Sequence, residues 1–347
     1  MNRGGGWPGL PAVTPVDAAA GDRARRELDA LAKPPGSLGR LEDLAARLAA
    51  IAGCATPPAL NRPAALVFAA DHGVVSRGVS RWPREVTAAM VGQIVAGRAA
   101  CNAIARVVGA SVTVVDVGVA TPVTPHPGVT HARVADGTSD MLDGPAMSPA
   151  QAGAALAAGA DAARAVIAGG ADLVCVGDMG IGNTTSAAAV VAALCGADPR
   201  AAVGLGASGS RFVRRKEHVV RAALELHRSR AARDVLMCLG GLEHAAIAGA
   251  ITACAAARVP AVLDGVNAGA AAMCAVRMVP AVHGYLIAGH RSHEPAAALA
   301  LDHLGLQPVL DLEMRLGEGT GALLAVPAIR AASTLLRDMA RLDEVAG

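Results

Sequence analysis

Short apolar runs separated by long alanine-rich segments limit the fold of this chain more than any other feature. The runs are 64–69 (AALVFA), 112–117 (VTVVDV), 172–177 (DLVCVG), 235–240 (VLMCLG), 261–264 (AVLD) and 284–288 (GYLIA). None alternates cleanly between apolar and polar residues, so each reads as a strand buried on both faces, the condition of a parallel sheet. The segments between them, such as 184–195 and 243–257, are long enough for helices and rich in the best helix former. Strands alternating with helices predict an α/β fold, a Rossmann-like and mostly parallel sheet flanked by helices.

Local signals divide the chain further. Ser148-Pro149-Ala150-Gln151 offers an N-cap, a first-turn proline and a capping-box glutamine, and so marks a helix start. Residues 118–147 form a Pro/Gly-rich connection of a length that is functional or disordered in compact domains. The first sixty residues and the last thirty or so read as helices without strand partners. The division expected is therefore 1–60 as the N-terminal part of a small helical subdomain, 61–312 as the α/β body, and 313–347 as a loop and helix completing the subdomain. No internal repeat is visible.

Composition excludes several function classes. The 31 basic and 29 acidic residues leave a net charge of +2, no electrostatic case for nucleic acid or an anionic membrane as partner. With two Phe, two Trp and one Tyr the chain has no run of aromatic platforms for stacking bases. Uncharged stretches such as Ala245–Ala257 are too short to read as membrane spans, and the first residues lack the apolar core of a secretory signal. The seven cysteines are scattered without a C-x-x-C pair, which suggests neither a disulfide framework nor a zinc site. Cys175 and Cys238 sit inside apolar runs, and buried reduced thiols fit the cytoplasm.

Ligands of open parallel sheets bind beyond the carboxyl ends of the strands. Four polar, glycine-rich segments follow candidate strands: 70–87 (ADHGVVSRGVSRWPREVT), 177–186 (GDMGIGNTTS), 240–244 (GGLEH) and 289–296 (GHRSHEPA). In 177–186, Gly180 and Gly182 permit close approach to backbone, and Asn183, Thr184 and Thr185 open an alanine-rich helix. Its exposed N–H groups and dipole would seat a phosphate; a plain βα turn with a polar cap fits the same residues. Lys216 could neutralise that phosphate or be an ordinary surface lysine. His290-x-x-His293-Glu294 has the look of a metal motif but lacks a full ligand set. Asp71 and His72, neighbours at a strand end, favour structural hydrogen bonds over an acid/base pair. Trp82 offers a flat wall to a planar ring or simply packs a loop. Glu318, between Gly317 and Gly319, is either a desolvated general base or an acid complementing a helix start.

Taken in order, KPPGSLGRLEDLA (33–45), FAADHGVVSRGVSRWPREVTAAMV (68–91), GDMGIGNTTSAAA (177–189), LDGVNAGAAA (263–272), GHRSHEPA and RLGEGTGALLA (315–325) resemble the nicotinate-nucleotide–dimethylbenzimidazole phosphoribosyltransferase family. The resemblance runs from about residue 20 to 340. It implies transfer of ribose 5-phosphate from nicotinate mononucleotide to 5,6-dimethylbenzimidazole in cobalamin lower-ligand synthesis, giving nicotinate and α-ribazole 5′-phosphate. By that resemblance Glu318 is the base. The turn holding Gly180, Gly182, Asn183 and Thr184 binds the phosphate with Lys216. Ser80 and Trp82 line the benzimidazole pocket, Asp178 reaches toward ribose, and Ser292, Gly317, Gly319 and Gly321 complete the nucleotide side. No metal or other cofactor is implied, and the expected assembly is a cytoplasmic homodimer acting on small molecules.

The chain departs from the family pattern at several places. Asp178 replaces a common glutamate, Arg84 a glutamine, and Trp82 a tyrosine or phenylalanine. The segment before Lys216 lacks the usual glycine turn, which leaves Arg214 and Arg215 as alternative phosphate ligands. Three other functions compete. A nicotinamide-dependent dehydrogenase would need G-x-G-x-x-G after the first strand, where DHGVVSRG stands. A transferase using the pyrophosphorylated sugar would carry adjacent acids at a strand end, where Asp116 is alone. A slow or non-catalytic nucleotide- and azole-binding relative is the third.

Overall fold

The computed structural model describes Trp7 and residues 9–345. Its centre is a sheet of six parallel strands: β1 (Pro63–Ala70), β2 (Ser111–Gly118), β3 (Val129–His131), β4 (Leu173–Met179), β5 (Ala261–Leu263) and β6 (Leu286–Ala288). They lie in the order β3-β2-β1-β4-β5-β6. The expected α/β class and parallel sheet are therefore found. Strand β1 shows why its sequence does not alternate. Leu66 and Phe68 pack into the apolar core on one face, while Ala65, Val67 and Ala69 pack into the core on the other. The order reverses between β1 and β4, and that switch point opens the crevice where open sheets bind ligands.

Two expectations fail. The run 235–240 is not a strand but lies in the helix Ala232–Leu239, ended by Gly240. Val235, Leu236 and Leu239 bury one helical face, a pattern that a run this short cannot separate from a buried strand. In the sheet, β4 pairs directly with β5, leaving no place for it. The other failure is an omission. The Pro/Gly-rich connection contains β3, an edge strand of three residues pairing Val129 with Val114. The stretch from Val86 to Val108 is apolar enough for a membrane span, yet it forms two helices, Val86–Val95 and Ala100–Val108, of 10 and 9 residues. At about 1.5 Å per residue neither crosses a hydrocarbon core of about 30 Å.

Near the chain ends, helices Ala18–Asp29, Arg40–Ala52 and Thr320–Asp338 pack together. Two backbone hydrogen bonds tie the ends: Ala32 N–H donates to Ala340 O and Leu342 N–H to Ala30 O, both at 2.9 Å. Helix Thr320–Asp338 also lays Leu323, Val326 and Ile329 in the same core as Val67, Val262 and Ile287 of the sheet. That packing brings the segment before the helix to the carboxyl ends of β4 and β5.

Candidate active site

The cleft at the switch point is built by several segments. The turn after β4 supplies Gly180, Gly182, Asn183 and Thr184, and the 315–317 segment faces it across Asp178. Ser80 and Ser292 close the sides, and Lys216 reaches in from the helix Val213–Leu226. Gly180 is required because a Cβ there would lie 2.3 Å from the Ala70 carbonyl oxygen. Gly182, with φ of +93°, is the glycine that turns the chain into the helix Asn183–Cys195. The first amides of that helix have no side-chain cap of their own, the arrangement that favours an anion.

Of the three basic residues considered for the phosphate, only Lys216 lines the cleft. Its ammonium is buried and lies 3.4 Å from Thr184 Oγ1 and 3.2 Å from the Leu205 carbonyl. Burial pushes its pKa down; Glu294 opposes the shift and Arg315 adds to it. Arg215 instead donates to the Arg77 carbonyl at the surface, and Arg214 is exposed. Arg315, not singled out from the sequence, adds a second cation at the cleft and donates to Gly206 O at 2.6 Å.

Asp178 lies at the floor. Its Oδ2 accepts from Asn183 Nδ2 and Asn267 Nδ2, each at 2.7 Å, while Oδ1 is buried without a partner. Burial, reinforced by the nearby Asp264 and Glu243 carboxylates, raises its pKa well above the ordinary aspartate value. The Asn267 amide is oriented from behind. Gly241 N–H donates to His244 Nδ1, so the Nε2–H of that ring donates to Asn267 Oδ1 at 3.0 Å. Next to it His72 Nε2 pairs with Glu243 Oε1 at 2.8 Å, while Asp71 Oδ2 accepts from Ala120 N–H. Asp71 and His72 thus make separate structural contacts.

The Glu318 turn is the most constrained backbone near the site. Gly317, Glu318 and Gly319 have φ of +88°, +61° and +77°. Glu318 N–H donates to the Asp178 carbonyl at 3.0 Å. Strand β4 admits the turn because Gly177 has no side chain: a Cβ there would lie 2.1 Å from Gly319 N. The Glu318 side chain is only 3% exposed and its Oε2 has no partner. Burial raises its pKa; the Cys101 amide and thiol beside it pull the other way, and Asp264 adds to the rise.

Four residues expected at the site do not line the cleft. Glu318 is buried behind Gly317. Gly319 and Gly321 turn their amides to Asp264 rather than to the cleft, at 3.1 and 2.7 Å. Trp82 is 41% exposed outside it, its Nε1–H donating to Ala207 O and the Arg81 guanidinium 4.7 Å above its ring. His290, His293 and Glu294 diverge: His290 faces Asp264, His293 is exposed, and Glu294 accepts from Gly206 N–H. No cluster of three potential metal ligands occurs among the described residues. Asp264 and Asn267 were missed as site residues, and Glu294 was weighed only as part of a metal motif; the signal for Asp264 was an acid closing a candidate strand, like Asp178.

A family model described as a phosphoribosyltransferase matches residues 13–346. Nicotinate-nucleotide–dimethylbenzimidazole phosphoribosyltransferase of Salinispora tropica is 46% identical, the alignment covering 96% of this chain and 96% of the relative. The protein of that name from Chloroflexus aurantiacus is 48% identical over 96% of this chain and 95% of its own. The chain belongs to this family. Its fold agrees: a crystal structure of the Thermus thermophilus nicotinate-nucleotide–dimethylbenzimidazole phosphoribosyltransferase superposes with a TM-score of 0.91 at 47% identity, covering 95% of this chain and 98% of that one. The family suggested by the motifs and the α/β architecture it implied are both borne out.

Proposed function

We propose that this chain transfers ribose 5-phosphate from nicotinate mononucleotide to 5,6-dimethylbenzimidazole, releasing nicotinate and forming α-ribazole 5′-phosphate for cobalamin. The observation that carries the reading is one cleft in which a helix start with a buried lysine faces an acid floor and Gly317, the glycine that leads into the buried Glu318 turn. The phosphate is held by the 180–184 turn, Lys216 and Arg315. Asp178 Oδ1, unpartnered, hydrogen-bonds a ribose hydroxyl. An azole nitrogen attacks C1′ with its lone pair. The C1′–N bond to nicotinate breaks, and its electrons neutralise the pyridinium nitrogen, so the leaving group needs no acid. The other azole nitrogen loses its proton to Glu318. A carboxylate desolvated in this way is a stronger base than one in water. Ser80 and Trp82 form the azole side, Trp82 moving in from its exposed position. Ser292 and Gly317 bound the nucleotide.

The same reading includes a homodimer, in which the exposed apolar Leu312 and, at the cleft, Leu316 are covered by the partner. The end segments, 1–60 and 313–347, act as a subdomain beside the body. Seven free thiols suit a reducing cytoplasm. The test is nicotinate release from nicotinate mononucleotide by the purified protein with and without dimethylbenzimidazole. Azole-dependent release supports the transferase. Nucleotide binding with no azole-dependent release would favour a non-catalytic binder.

A further inference from the structure

Helix Thr320–Asp338 begins without a cap of its own. Its N-cap is Gly319, which has no side chain to accept from the first amides. Those amides are nevertheless satisfied, from another element. Asp264, immediately after β5, accepts from Gly319 N–H through Oδ2 at 3.1 Å, and through Oδ1 from Gly321 N–H at 2.7 Å and Ala322 N–H at 3.3 Å. Asp264 is itself 3% exposed, and His290 Nε2 stands 3.6 Å from its Oδ1. A carboxylate at the positive end of a 19-residue helix is favourably placed.

The geometry also explains two glycines. At Gly321 a Cβ would lie 1.9 Å from the His290 ring, and at Gly177 it would meet the backbone of Gly319. His290 and Asp264 on one side and β4 on the other therefore clamp the same three or four residues. The clamped turn is the left-handed one that carries Glu318.

We propose that Asp264 is a positioning residue for the transfer reaction: its three amide contacts fix the Gly317–Glu318–Gly319 turn and so aim the Glu318 carboxylate. Asp264 touches neither substrate and acts only through the backbone. The inference rests on the reading of Glu318 as the base. Asparagine at 264 would turn one acceptor oxygen into an NH2 group facing an amide donor. Either the Gly319 bond or the pair from Gly321 and Ala322 is then lost.

The experiment is a double-mutant cycle on azole-dependent nicotinate release with Asp264→Asn, Glu318→Gln and the double variant. The proposal expects Asp264→Asn to lower kcat roughly ten- to a hundredfold, the scale of a small misplacement of a reacting group. KM for nicotinate mononucleotide should stay within about twofold, since this contact leaves the phosphate turn alone. In the Glu318→Gln background the same change should cost less than about threefold, because nothing remains to be aimed. Equal losses in both backgrounds, or a matching rise in KM, would overturn the proposal and make Asp264 a general structural cap. Full activity of Glu318→Gln alone would remove the base reading itself, and with it anything for Asp264 to aim. Should Asp264→Asn not fold, Asp264→Ser, whose hydroxyl accepts one of the three N–H groups, is scored by the same criteria.

Discussion

Exchanging Glu318 for glycine should leave the protein more stable than exchanging it for alanine, the reverse of the usual order. Both changes delete the same buried carboxylate and methylenes except for one Cβ, so the comparison isolates the backbone. At φ of +61° that Cβ costs about 1–2 kcal/mol in the left-handed region. Glycine gives back about 0.4–1 kcal/mol through its looser unfolded chain. The difference is about 0.8 kcal/mol in favour of glycine. For 347 residues, an unfolding entropy of about 2.1 cal/mol/K per residue turns this into a Tm about 1 °C higher. Calorimetry of the two variants side by side, with denaturant midpoints as a second measure, resolves the order. An alanine variant as stable as the glycine variant, or more so, would refute the argument that the turn holds Glu318 in a conformation its side chain resists. Such strain is kept where function needs it.

Four further outcomes are expected. Lys216→Ala should raise KM for nicotinate mononucleotide roughly 10- to 100-fold, the scale of a charge-assisted hydrogen bond, with KM for the azole within about twofold; equal rises would contradict a phosphate role. Gly177→Ala, whose Cβ would lie 2.1 Å from Gly319 N, should depress both Tm and turnover more than tenfold in rate, about the effect of displacing a reacting group. Gly92→Ala, in the helix Val86–Val95 with nothing within 4 Å, should stabilise by about 0.5–1 kcal/mol and leave the rate unchanged. The buried acids should contribute stability that falls as pH rises. Asp178 and Glu318, raised above ordinary values of 3.8 and 4.5, bind protons in the folded chain where the unfolded chain has lost them. His72, raised above 6.5 by Glu243, loses its favourable charge as pH climbs past its folded value. Both terms give a negative slope, while His244 and Lys216, whose pKa values are lowered, give a positive one. The test is therefore a difference: Tm of the wild type relative to Glu318→Gln should decline from about pH 5 to 9, whereas a difference that stays flat or rises would contradict the buried-acid account.

The sheet was legible because buried strands leave runs such as AALVFA that survive any reading frame, and five of the six candidate runs are strands. VLMCLG misled because five apolar residues in a row fill a helix face as readily as a strand. Strand β3 left no apolar run at all: VTH is an edge segment held by its neighbour β2. At the site, glycine-rich turns flagged the phosphate seat and Glu318 directly. The supporting shell was hidden, since Asp264, Asn267 and His244 act through partners 55 to 89 residues distant or on another helix. Sequence neighbours say nothing about such contacts. Trp82 shows the opposite limit: its identity suggested a ring wall, while the structure leaves it outside the cleft under Arg81.

The most direct test of the account is the rate of azole-dependent nicotinate release in Glu318→Gln against the wild type, followed from pH 5 to 9. A buried glutamate acting as base predicts a wild-type rate that rises with pH through its raised pKa, and a glutamine variant at least about a hundredfold slower with that rise gone. A glutamine variant that keeps the wild-type rate and its pH dependence would contradict the assignment and make another residue the base.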